Sequence, residues 1–141
     1  MLSVGMKRLY KDEYISICMD EEERLLYYKI VGYPKFSEVI RDGHDRLYEI
    51  ALEMKRGHRV VNLVADLLEA KILLTRDIKF IGSVSYPRLA KTGIKNLVIL
   101  VPDDIHVQIN VQKTIECMGS NVFQYKPCGS MEEAREWFRI L

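Results

Sequence analysis

Arg59-Val60-Val61-Asn62-Leu63-Val64-Ala65-Asp66 is an almost continuous apolar run that ends in an acid, and Asn96-Leu97-Val98-Ile99-Leu100-Val101 repeats the pattern before Pro102 stops it. Neither run alternates between apolar and polar residues. Both therefore read as strands buried on two faces of a mostly parallel sheet, which requires helices to cover those faces. Parallel neighbours also need a crossover of a dozen or more residues, and the segment between the two runs has the length for one. A helical region is predicted from Thr75, read as its N-cap with Asp77 in the first turn, through Ile78, Ile81, Val84 and Leu89 to Gly93. Pro87 is expected to kink this region or divide it in two.

Towards the N-terminus, Phe36, Val39, Ile40, Gly43, Leu47, Ile50, Ala51 and Met54 recur at three and four residues and define a helix to about Arg56, stopped by Gly57. Before it, Tyr14-Ile15-Ser16-Ile17-Cys18-Met19 and Leu25-Leu26-Tyr27-Tyr28-Lys29-Ile30-Val31 flank Asp20-Glu21-Glu22-Glu23 and read as a hairpin with a charged turn. Gly32-Tyr33-Pro34 ends the second strand, since Pro34 has no N–H to give to a ladder. Residues 1–12 show no comparable pattern and are read as a loosely ordered lead-in to a domain spanning 13–141.

Towards the C-terminus, Asp103 or Asp104 is expected to cap a third helix that runs to Met118, with Gly119 as its stop. The segment Ile105-His106-Val107-Gln108-Ile109-Asn110-Val111 alternates strictly and alone would pass for a strand. Its length before Gly119 and the need for a crossover favour a helix. Asn121-Val122-Phe123-Gln124-Tyr125 reads as a short last strand. Ser130 with Glu133 is a capping box, followed by the apolar stripe Ala134, Trp137, Phe138 and Leu141. The expected fold is a single α/β domain in which a β-hairpin precedes right-handed crossovers. These give a mixed, mostly parallel sheet of about five strands covered by about four helices.

At 141 residues and 48% apolar content the chain can bury one full core without disulfides or metals. Its 21 Lys plus Arg nearly balance 20 Asp plus Glu, so the net charge of +1 creates no field that would gather nucleic acid. Cys18, Cys117 and Cys128 are odd in number and widely spaced, with no C-x-x-C pair, which points away from a disulfide framework or zinc site and towards a cytoplasmic home. No stretch approaches the ~18 uninterrupted apolar residues of a spanning helix, and no apolar segment follows Lys7 and Arg8 as in a signal peptide, so neither membrane insertion nor export is expected. No repeat, linker, nucleophile elbow or glycine-rich phosphate loop is visible.

Three local patterns, taken with the order of elements, resemble the SpoIIAA-like branch of the STAS superfamily. They are the strand and turn over 28–34 leading into the first long helix, the buried strand over 60–66 ending in Asp66, and Gly93-Ile94-Lys95-Asn96-Leu97-Val98-Ile99-Leu100-Val101-Pro102 followed by a helix and closed by Met131-Glu132-Glu133-Ala134-Arg135-Glu136-Trp137-Phe138. The resemblance covers the chain from about Tyr14 onward. It implies a docking or regulatory domain, with no enzymatic activity, catalytic residue, metal or cofactor. Its partner would be a protein, either another regulator or a second copy of the chain, and a homodimer is compatible with the frequency of symmetric pairing among small domains. In the best-known members a serine just past the acidic strand end is phosphorylated. Here Asp66 is followed by Leu67-Leu68-Glu69-Ala70, no hydroxyl occurs before Thr75, and the phospho-switch does not carry over.

The candidate interaction residues are Asp66, Thr75 and Asp103, in or next to the loops that follow the two buried strands, where open α/β sheets bind their ligands. Asp66 could accept hydrogen bonds from a ligand; the plainer reading, which is favoured, has it cap the next segment's amides. Thr75 is the candidate phosphoacceptor, with ordinary helix-start duty as the plainer reading. His44, His58 and His106 lie far apart and stand in no recognised ligand or triad spacing. Cys117 is expected to pack as a small hydrophobe, and Cys128, between Pro127 and Gly129, to be exposed and oxidisable. The tyrosines are read as half-buried packing, and Lys55-Arg56-Gly57-His58-Arg59 as a basic cluster placed against a helix dipole. Besides the interaction domain, the composition leaves open a carrier that holds a small apolar or amphiphilic ligand between sheet and helices.

Overall fold

The two apolar runs are neighbouring inner strands. The structure, a computed structural model, describes residues 5–59 and 61–141; residues 1–4 of the expected lead-in and Val60 of the first run lie outside the described residues. Strand β4 (Asn62–Asp66) pairs in parallel with β5 (Asn96–Leu100), with Leu63 opposite Leu97 and Ala65 opposite Ile99. On β4's other side lies β3 (Leu25–Ile30), also parallel, which forms the expected hairpin with β2 (Ile15–Asp20). The sheet ends in β1 (Met6–Lys11), antiparallel to β2, and β6 (Gln124–Cys128), parallel to β5. Strand order is β1-β2-β3-β4-β5-β6, without reversal.

Two boundaries differ from the sequence reading. Six of the twelve residues read as a lead-in form β1, an edge strand whose register slips between Arg8 and Tyr10. That bulge breaks the period of two, and Lys7, Arg8 and Lys11 give the edge the charge that discourages pairing with other chains. The last strand begins at Gln124 rather than Asn121 and runs through Pro127, a residue a ladder accepts on an edge.

Because the parallel strands follow one another in order, right-handed crossovers place their helices on one face of the sheet. These are α1 (Ser37–Arg56), α2 (Thr75–Phe80), α3 (Tyr86–Ala90) and α4 (Ile105–Met118), with α2 and α3 joined by a π-helical turn over Ile81–Ser85. Together they bury Ile17, Leu26, Leu63, Leu97, Leu47 and Leu89 in the larger core. Pro87 does divide the second helical region, and the division is the π turn. The proline ring would strike the carbonyl of Ser83 four residues back, and the wider turn, in which the Tyr86 N–H bonds Ile81 O, makes room for it. Gly82 in this turn lets α4 approach closely: a Cβ there would lie 2.4 Å from Thr114 O. Asp104, the second of the two residues considered, caps α4 by accepting from the N–H groups of His106 (2.9 Å) and Val107 (3.4 Å). Thr75 is not an N-cap: α2 starts at it, after Leu74, with no side-chain cap.

Helix α5 (Met131–Ile140) crosses to the opposite face and packs Ala134, Trp137 and Phe138 on Leu25, Val64, Val98 and Leu100. Ser130 caps it by accepting from the Glu133 N–H at 3.2 Å.

Candidate functional site

Asp66, Thr75 and Asp103 are all placed at the carboxyl end of the parallel strands. Asp66 closes β4 but is buried and turned inward: one carboxylate oxygen accepts from the Tyr27 hydroxyl and the other from the Leu68 N–H at 2.9 Å. Its oxygens therefore organise the loop. The Tyr27 hydroxyl is held well above its ordinary pKa by burial and by this bond to a carboxylate. Thr75 and Asp103 are exposed. A strand order without reversal opens no crevice of the kind a doubly wound sheet forms at its switch point.

The loops at this end are tied to one another. Gly32 N–H donates to Glu69 O at 2.9 Å and Lys71 N–H to Gly32 O at 2.8 Å, joining the loops after β3 and β4. Lys29 and Glu69 form an ion pair across the same join, and the lysine holds the Glu69 carboxyl below its ordinary pKa. Arg76 Nε in the first turn of α2 donates to Ser37 Oγ at the start of α1 at 2.6 Å, and Leu73 N–H in the second loop donates to Asn110 Oδ1 on α4 at 2.9 Å. On this braced platform stand exposed apolar side chains: Tyr33 and Phe36 after β3, Leu68 and Ile72 after β4, and Ile105 and Ile109 at the start of α4. Scattered single apolar residues are normal on a surface; here they are grouped on two adjoining loops and the first turns of α4.

The groups with chemical potential lie instead between the sheet and the helical layer. His44 Nδ1 on α1 is 2.6 Å from Ser85 Oγ in the π turn, and the hydroxyls of Tyr28 on β3 and Tyr86 on α3 are 2.6 Å apart. The His44 ring meets the Tyr28 ring edge-on at 5.1 Å. A serine paired with a histidine is the start of a nucleophile and base. Here Ser85 is 0% and His44 1% exposed, so the packed helices keep solvent and substrates from both. Burial, with Arg88 nearby, depresses His44 to about 3, so it is neutral at ordinary pH; burial raises Tyr86 to about 12 and Tyr28 well above its usual value. His44 Nε2 and both carboxylate oxygens of the buried Asp77 have no hydrogen-bond partner. An adjoining cavity, lined by Tyr28, Tyr86, Leu73 and Thr114 among others, has about 20 Å³, room for about one water rather than an amphiphile. The sequence offered no local signal for this cluster, whose partners are 41 and 58 residues apart.

His58 and His106 are exposed and distant from it in the chain. Cys128 is buried, contrary to expectation, because α5 folds over it on the second face; burial raises its thiol pKa and that of Cys18. Cys117 is half-buried. In the basic cluster, Arg59 pairs with Glu21 at 3.1 Å and Lys55 donates to Lys91 O at 3.3 Å. Among the described residues no group of three or more His, Cys, Asp or Glu could hold a metal, and no helix is long and apolar enough to cross a membrane. Compared with known proteins, the chain matches no family model, no curated protein and no solved structure.

Proposed function

We propose that this chain is a non-enzymatic docking domain of the STAS, SpoIIAA-like kind that binds a protein partner through the carboxyl end of its parallel strands and works in the cytoplasm. The observation that carries the reading is the placement of exposed Leu68 and Ile72 on the loop after β4 and of Ile105 and Ile109 on the α4 helix braced to it. A pre-ordered apolar surface loses little conformational entropy on binding, which favours recognition by such a platform. The reading is further supported by the inward turn of Asp66 and the sealed state of the Ser85–His44 pair, which leave these groups structural duties.

Affinity capture from native extract, with an Ile72→Asp/Ile109→Asp variant as control, tests this. The unaltered chain should retain a stoichiometric partner, or a second copy of itself, that the variant loses. Retention by both chains, or by neither across several salt concentrations, would refute the reading.

A further inference from the structure

On the face bearing α1 to α4, each helix covers the step between two successive parallel strands, and the pattern stops at β6 because α5 lies on the other face. Tyr125 and Pro127 stand opposite Leu97 and Ile99 and so point to the helical side, yet no helix follows to cover them, and Tyr125 is 42% exposed. Between these residues and α4 runs a groove of about 630 Å³. Its floor is apolar, from Val111, Ile115, Tyr125 and Pro127, and Glu116 and Glu133 stand in its lining, which contains no Lys, Arg or His among the described residues. Each carboxylate accepts only a long bond from an amide, Glu116 from Gln112 Nε2 at 3.5 Å and Glu133 from the Gly129 N–H at 3.4 Å. No ion pair among the described residues engages either one.

The free edge of β6 does not suit an added strand. Gln124 N–H donates inward to Lys95 O, so alternation turns the backbone of Tyr125 and Pro127 outward, and at Pro127 the outer edge has no N–H to offer. A helix satisfies its own backbone and needs only an apolar trough with complementary charge along the rim. We propose that this groove receives an amphipathic α-helix of a protein partner, its apolar stripe resting on Val111, Ile115 and Tyr125 and its flanking Lys or Arg residues facing Glu116 and Glu133. The helix occupies the place the next crossover helix would take. The groove adjoins the strand ends at Val101 and Gln108, but its apolar floor and its two carboxylates lie beyond the platform residues, and the proposal does not depend on their role.

The test is selection of peptides on the full chain from a display library of amphipathic helices with randomised flanking charge. Enriched peptides should carry Lys or Arg beside the apolar stripe, shift the amide resonances of Val111, Ile115 and Tyr125, and bind about tenfold or more weakly to Glu116→Lys and to Tyr125→Ser. Both positions are exposed, so the variants should keep the parent amide spectrum elsewhere. Failure to enrich any peptide, enrichment without basic flanks, binding unchanged by Glu116→Lys, or shifts confined to other surfaces would overturn the proposal.

Discussion

The polar cluster under the helices and the apolar platform at the strand ends invert the usual arrangement. Hydroxyls and an imidazole are sealed inside, where Tyr28 pairs with Tyr86 and His44 Nδ1 with Ser85 while His44 Nε2 stays unpartnered, whereas Leu68 and Ile72 on a braced loop and Ile105 and Ile109 on the start of α4 stand in water. Buried polar groups that pair well help specify one packing of a core, and large apolar groups left exposed cost solubility without adding to fold stability. The difference teaches where to look for function: changes inside should act on folding, and changes at the strand ends should act on binding.

The largest expected effect is inside. Gly82→Ala places a methyl 2.4 Å from Thr114 O and 2.7 Å from Cys117 Cβ, so α4 must move off the π turn. A loss of about 3 kcal/mol is expected, read from the urea midpoint. Next comes the titration of His44. Its pKa is about 3 in the folded chain and about 6.5 unfolded, so between those values the unfolded state binds the extra proton and stability falls as the pH is lowered. The slope is on the order of 1 kcal/mol per pH unit, and His44→Phe should remove it. Unfolding free energies of both chains at pH 7, 6 and 5 should therefore move in the variant's favour on acidification; parallel curves would mean that His44 takes up protons in the folded state.

A smaller effect is expected on the second face, where α5 is held partly by its cap. Ser130→Ala should cost about 1 kcal/mol in thermal or urea unfolding, since it removes the acceptor for the Glu133 N–H. The smallest is at the platform: Ile72→Asp and Ile109→Asp should each leave stability within about 0.5 kcal/mol, because neither side chain is buried. A large loss from either would place that residue in the core and erase the contrast between the two regions.

Most of the fold was legible because its decisive elements carry local signals. The runs around Leu63 and Leu97 are too apolar for a half-wet strand, the spacing from Ile40 to Met54 is helical, and Ser130 with Glu133 announces α5. What escaped depends on geometry between distant segments. The bulge before Tyr10 hid β1, and the edge position that makes Pro127 acceptable is visible only once the sheet is assembled. The burial of Cys128 follows from the face α5 chooses, which no residue near Cys128 determines. At the strand ends the loops were anticipated and Asp66, Thr75 and Asp103 were located there. The exposed group around Ile72 and Ile109 was not, because an apolar residue on a loop or a helix surface and one in a core look alike in one dimension.

Hydrogen–deuterium exchange of the full chain, alone and with the partner retained by affinity capture, measures most directly whether recognition belongs to the strand ends. Binding should slow exchange at 67–74 and 103–109 while the amides of β4, already protected, stay unchanged. Protection that bypasses both loops, or new exposure of the core around His44 on binding, would contradict it.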